Sequence, residues 1–262
     1  MDLGLSGRAC VITGASRGIG RATAVTLAAE GASLLLIGRD VAALERVRAE
    51  CGDAARILAL DVTDPDAGER ARDTCEDAFG RIDVLVNNAG TTKVKTVEEL
   101  TDEEWQAQWE LHVMAPMRLM RALAPVMAAS GWGRIVNVSS SSGKRPSGTN
   151  MAYSVTKAAT LSLSRAFADL YAAKGVLVNA IAPGAIGNDM WLAAGGLADQ
   201  LSRARDTSRE EVLAATAART PLGRLGREEE IAAVIAFLCS EQASNVAGAA
   251  WSVDGGTVPV II

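Results

Sequence analysis

Tyr153 and Lys157 stand four residues apart in "YSVTK" (153–157), and four serines, Ser139 to Ser142, precede them. On an α-helix that spacing puts the two side chains on one face, a turn apart. A phenol and an ammonium so placed can share a proton, because the cation favours the phenolate and a nearby hydroxyl steadies an oxygen gaining charge. A free phenol has a pKa near ~10, and useful ionisation at neutral pH asks for a shift of roughly 2–3 units, about 3–4 kcal/mol. One ammonium at ~4 Å supplies on the order of 4 kcal/mol at an effective dielectric near 20. Two solvated residues on a surface helix would show the same spacing, so the elements around them decide.

A second set of residues is suited to a phosphate. "TGASRGIG" (13–20) follows an apolar run and opens a helical pattern. Gly14, Gly18 and Gly20 permit a tight turn, close approach of backbone to a pyrophosphate, and close packing of helix on sheet. The helix start adds unpaired N–H groups and the positive end of its dipole. The next apolar run ends "LIGRD" (36–40). Gly38 stands where a carboxylate gripping both ribose hydroxyls is expected; Arg39 follows it, and Arg17 adds a second cation. Cations there suit a 2′-phosphate, so NADP(H) is favoured, with NAD(H) the alternative. Asp40 is placed to cap the following helix.

The elements that must position these groups alternate along the chain. "ACVIT" (9–13), "SLLLIG" (33–38), "RILALD" (56–61), "VLVNN" (84–88), "RIVNVSS" (134–140), "VLVNAIAP" (176–183) and "AAWSVDGG" (249–256) read as buried strands. Helical patterns lie near 18–30, 40–50, 66–79, 101–129, 151–173 and 227–240. The expected class is α/β: a single doubly wound Rossmann domain over 1–262, its seven-stranded parallel sheet covered on both faces by helices. Residues 184–226 break the rhythm, and a connection that long commonly carries function. Its patterning suggests one or two short helices, with about 185–220 facing the substrate and Met190, Trp191, Leu192, Leu197 and Leu201 as apolar wall candidates.

Composition excludes other classes. The net charge is −5 with no basic run, which argues against a nucleic-acid partner. Cys10, Cys51, Cys75 and Cys239 are scattered and His112 is the single histidine, so neither a disulfide framework nor a metal site is expected. No leader pattern and no apolar run of ~20 residues occurs, so a cytoplasmic protein with no membrane span is expected.

These motifs, with "LDVTD" (60–64), "NNAG" (87–90), "APG" (182–184) and "VDGG" (253–256), resemble the short-chain dehydrogenase/reductase family over nearly the whole chain, its 3-oxoacyl-reductase-like members in particular. The resemblance implies a nicotinamide cofactor, interconversion of a ketone or aldehyde with a secondary alcohol, and frequently a homotetramer. It implies Tyr153 as general acid/base, Lys157 beside it, and Ser140 on the carbonyl oxygen. Ser139 is the neighbouring alternative, facing the other side of the sheet; Ser141 and Ser142 read as loop. By likeness, Gly14, Ser16, Arg17, Gly18, Ile19 and Gly20 form the cofactor turn, and Asp61 and Val62 sit by the adenine. Asn87, Ala89 and Gly90 line the cofactor, with Tyr153 and Lys157 also touching it. Pro183, Gly184 and Ile186 lie toward the nicotinamide. The competing readings are an NAD(H)-dependent alcohol dehydrogenase of the same family and a nicotinamide-binding scaffold without turnover; an intact Ser140–Tyr153–Lys157 set argues against the scaffold.

Two positions depart from the family pattern. His112 falls where many members carry an asparagine at the start of a water chain from the catalytic lysine. His112 is therefore a catalytic candidate in two ways: Pro116 has no N–H to bond the carbonyl four residues back, so the His112 carbonyl is expected to be free to hold a water, and the imidazole itself could carry protons. Asn188 occupies the place of a threonine that bonds the nicotinamide carboxamide, and offers its amide instead.

Overall fold

Strands buried on both faces need mostly apolar side chains, and the central strands have them, whereas the two edge strands are partly exposed. In the computed structural model, which describes residues 2–259, the strands are β1 (Ala9–Thr13), β2 (Ser33–Gly38), β3 (Ala55–Ala59), β4 (Val84–Asn87), β5 (Gly133–Val138), β6 (Val176–Pro183) and β7 (Ala250–Val253). They form one seven-stranded parallel sheet in the order β3-β2-β1-β4-β5-β6-β7. The order reverses between β1 and β4, which opens a crevice at the carboxyl ends of those strands.

The helices are α1 (Gly18–Ala29), α2 (Val41–Cys51), α3 (Ala67–Phe79), α4 (Asp102–Trp109), α5 (Ala115–Ala129), α6 (Ser141–Lys144), α7 (Met151–Tyr171), α8 (Asp189–Leu192), α9 (Leu197–Arg205), α10 (Arg209–Ala218) and α11 (Glu228–Cys239). Alternate strand residues feed two cores. Ile12, Leu36, Val86 and Ile181 pack with Leu27 of α1 and Ile235 of α11. Val11, Leu35, Leu85 and Ile135 pack on the other face with Leu119, Leu123 and Met127 of α5.

Four expectations need correction. β3 stops at Ala59, so Leu60 and Asp61 lie beyond the strand. The helix expected over 101–129 is interrupted by a π-turn, Glu110–Met114, where the Ala115 N–H bonds the Glu110 carbonyl five residues back. Pro116 follows at once and supplies no N–H. Residues 184–226 contain three helices, α8 to α10, not one or two; Ser208 and Glu211 form a capping box that starts α10. Ser141 and Ser142 open α6 and are not loop, because Ser140 Oγ caps that turn by accepting the Ser142 N–H.

Candidate active site

The glycine turn between β1 and α1 sits at the sheet's switch point and is pinned from beneath. Asn88 Nδ2 donates to the carbonyls of Thr13 (3.0 Å) and Gly14 (3.1 Å). Thr13 Oγ1 accepts the N–H groups of Asn88 and Ala89. Gly14 has φ +64°, and a Cβ there would come 2.9 Å from Ala89 Cα. A Cβ at Gly20 would stand 2.2 Å from the Gly14 carbonyl oxygen, so a side chain at either position is excluded. At the start of α1, Arg17 makes no side-chain cap and the first turn carries no acid. Helix N–H groups that no side chain caps suit an anionic pyrophosphate, so the residues present fit a dinucleotide; Glu228 Oε1 stands nearby, 3.5 Å from where a Gly18 Cβ would lie. Ser16, Gly18 and Ile19 lie on this turn. Thr13 and Asn88 were not picked out from the sequence, although the second asparagine of "NNAG" carried the hint.

At the next strand end, Arg39 is largely exposed, and its guanidinium lies 3.4 Å from Asp61. Burial pushes the Asp61 carboxyl up, but bonds from the Thr63 N–H and hydroxyl, with Arg39, outweigh it and hold it below the usual range. Val62 is buried beside it. Asn87 is buried and donates to Asn137 Oδ1 at 2.8 Å. Pro183 ends β6, Gly184 packs against Asp254, and Ile186 is buried on a bridge to Gly226.

β5 and α7 bring the reactive groups together. Ser139 and Ser140 take different partners: Ser139 Oγ donates to the Lys157 carbonyl at 2.7 Å, whereas Ser140 hydrogen-bonds the Tyr153 phenol. Lys157 is 4% exposed and its Nζ donates to the Val138 carbonyl at 2.8 Å. That Nζ lies 5.6 Å from the centre of the Tyr153 ring. The expected downward shift of the phenol is not seen. Burial raises the Tyr153 pKa, the Ser140 bond opposing it, and burial lowers Lys157 to about 7. Desolvation works against the ammonium's pull, because it disfavours the charged form of the amine as well as that of the phenol.

His112 is buried in the π-turn, its ring edge-on to Tyr153 at 5.3 Å. The His112 carbonyl, to which Pro116 offers no N–H, has a partner that the sequence did not suggest. The Thr160 hydroxyl, from the middle of α7, reaches it at 2.9 Å. Asn188 also has other partners: Oδ1 accepts the Met190 N–H at 3.1 Å, capping α8, and its amide bonds Glu228. Of the wall candidates, Leu197 and Leu201 are buried, while Met190 and Leu192 are exposed.

Residues 14–258 match the family described as enoyl-(acyl carrier protein) reductase. The chain is 35% identical to 3-oxoacyl-(acyl-carrier-protein) reductase of Escherichia coli over 254 residues, 97% of this chain and 98% of that one. It is 39% identical over 256 residues to cis-4-hydroxycyclohexanecarboxylate dehydrogenase of Sinomonas cyclohexanicum, covering 97% of each. Among solved structures, L-sorbose reductase from Gluconobacter frateurii, complexed with NADPH and L-sorbose, superposes with a TM-score of 0.92 at 37% identity, covering 100% of both chains.

Proposed function

Because this chain belongs to the short-chain dehydrogenase/reductase family of oxidoreductases, we propose that it interconverts a small-molecule ketone or aldehyde and a secondary alcohol with NADP(H), Tyr153 being the general acid/base. The observation that carries the reading is the convergence of Ser140, Tyr153 and Lys157 at the carboxyl end of the sheet that bears the glycine turn. A bound nicotinamide supplies the hydride in reduction and takes it in oxidation. Tyr153, held protonated by burial, is the form that donates to a carbonyl oxygen. Ser140 gives that oxygen a second hydrogen bond as charge develops. Lys157, with a pKa of about 7, is able to return a proton to the phenolate near neutrality.

Arg39 and Arg17, with no acid at the end of β2, support NADP(H), as does likeness to a reductase complexed with NADPH. One observation favours NAD(H) instead: Arg39 already faces Asp61. Initial rates with NADPH and NADH against a panel of ketones decide, and NADPH is expected to be preferred. Tyr153→Phe is expected to lower turnover by about 10²–10⁴-fold, the usual contribution of a general acid, with NADPH binding unchanged. Turnover near the parent's would sink the mechanism.

The reading extends to a homo-oligomer, most simply a tetramer of dihedral symmetry, working in the cytoplasm. Exposed Met151, Val155 and Leu170 on α7 support an apolar contact between copies. A single monomeric species in sedimentation at micromolar concentration would refute it.

A further inference from the structure

Both ring nitrogens of His112 and its carbonyl are engaged, and the direction of each bond can be worked out. Nε2 lies 3.3 Å from the Thr91 backbone N–H. A backbone N–H only donates, so Nε2 is the acceptor and the neutral ring carries its proton on Nδ1. Nδ1 faces Thr156 Oγ1 at 3.0 Å, and that hydroxyl's own hydrogen goes to the Tyr153 carbonyl, also at 3.0 Å. The Thr160 hydroxyl lies 2.9 Å from both the His112 and Thr156 carbonyls. That hydroxyl has one hydrogen to give, so it ties α7 to the π-turn at His112 when it donates there and to its own helix when it donates to Thr156.

The imidazole thus joins two pieces of the site. One is the loop after β4: a Cβ on Gly90 would come 3.3 Å from His112 Nε2 and 3.5 Å from Lys157 Nζ, so loop, ring and amine converge there. The other is the turn of α7 bearing Tyr153 and Lys157. We propose that His112 is a positioning residue, a neutral strut that sets the Gly90–Thr91 loop against the Tyr153–Lys157 turn and carries no proton itself. The proposal rests on the hydride-transfer reading for its consequence, but not for its geometry. The titratable groups facing the ring are Lys157 and Tyr153, both from α7. Glu110 of the π-turn is paired with Arg118 of α5 at 2.9 Å, and Glu104 of α4 with Lys95 at 2.7 Å. A proton on Nε2 would meet the Thr91 N–H and stand near the Lys157 ammonium; burial, then Lys157, hold the ring well below its ordinary pKa.

As the sole histidine, His112 is reported alone by ¹⁵N-histidine labelling. The expected spectrum is that of the neutral ring protonated on Nδ1, unchanged between about pH 5.5 and 8.5, the range in which free imidazole titrates. Titration inside that window, or a proton on Nε2, overturns the proposal whether or not the chain turns over. Two variants separate the ends of the strut. The His112→Gln amide extends to the place of Nε2, and the His112→Asn amide sits at the place of Nδ1. Each lost bond is expected to change a constant by about tenfold, the equivalent of one ordinary hydrogen bond. His112→Gln should lower kcat and spare the dissociation constant of NADPH alone; His112→Asn should weaken NADPH and largely spare kcat. Both should keep the limbs of the kcat–pH profile. Unchanged constants in both variants, or a limb lost in both, would show that the ring is not a strut.

Discussion

At the amino ends of the strands Asp83, 2% exposed, takes bonds from Arg8 (3.1 Å), Arg81 (2.6 and 2.7 Å) and the Ala9 N–H (2.8 Å). Arg8 and Arg134 both lie against the Trp132 ring, at 3.7 and 4.3 Å. Arg134, buried, donates to the Ser240 and Gly133 carbonyls, with Glu241 at 3.5 Å. At the carboxyl ends, Lys157 is buried as deeply with one carbonyl as its hydrogen-bond partner, and no ion pair to it occurs among the described residues. A buried charge is tolerated when its partners satisfy it, and otherwise it sheds the charge. One end of the sheet is stabilised by matched charge. The other keeps an unmatched amine and a protonated phenol, which leaves both ready to exchange protons.

The contrast breaks most readily at Asp83. Asp83→Asn leaves the two arginines without their carboxylate, and losing one partner of a buried pair costs roughly 3–5 kcal/mol. The lower end is expected, since Arg8 and Arg81 reach solvent. Chemical denaturation should show the loss, while kcat/KM of the folded enzyme stays within about twofold, additivity holding for distant sites. A drop in kcat/KM that matched the loss of stability would mean that the ends are coupled.

Lys157→Met should act with the opposite sign on stability. Replacing a desolvated amine by a side chain of similar length is expected to stabilise by about 1–3 kcal/mol while turnover collapses. The pH dependence sharpens this. Lys157 has a folded pKa of about 7, against about 10.4 when unfolded. The unfolded chain therefore binds more protons between those values, and parental stability should rise with pH across that window. The methionine variant should lose that slope. A destabilised Lys157→Met variant would show that the amine is matched after all.

Much of this contrast was legible in the residues, and the remainder was hidden for identifiable reasons. The strands showed as short apolar runs because both faces are buried, and "YSVTK" showed its helical face because i and i+4 must coincide. The π-turn at 110–114 was invisible, since α4 before it buries no side chain and so offers no apolar stripe whose phase could be seen to slip. Thr160 could not be paired with the His112 carbonyl, because 48 residues separate them and threonine on a helix ordinarily bonds its own turn. The Arg8–Trp132–Arg134 stack needed the sheet order before any of its members could be seen as neighbours. The phenol's shift was misjudged because spacing gives distance but not desolvation.

A smaller effect is expected at the rim. Among the described residues Arg39, 80% exposed, is held only by Asp61. Arg39→Ala should narrow the difference in binding between NADPH and NADH by about 1.5 kcal/mol, the low end for a hydrogen bond to a charged group. Stability should not change. Equal narrowing in an Asp61→Asn variant would assign the discrimination to the pair and not to the arginine.

A last test asks whether His112 belongs with the matched groups or with the reactive ones, its effect vanishing near neutral pH and appearing only in acid. Its folded pKa lies well below its ordinary value, through burial first and Lys157 second. In the unfolded chain the imidazole takes a proton below about pH 6.5. Unfolded molecules then bind more protons than folded ones, so this residue makes stability fall as pH drops, by up to about 1.4 kcal/mol per pH unit. Glu228 titrates in the opposite sense, its folded carboxyl raised by burial and by Glu229 and Asp189, and would mask the slope in the parent alone. His112→Gln carries the same Glu228, so the difference between parent and variant isolates the imidazole. That difference should be flat above about pH 6.5 and shift progressively against the parent between about pH 6.5 and 5. A difference that stayed flat throughout would mean that the folded ring titrates as freely as the unfolded one, and a ring free to take a proton is a carrier, not a strut.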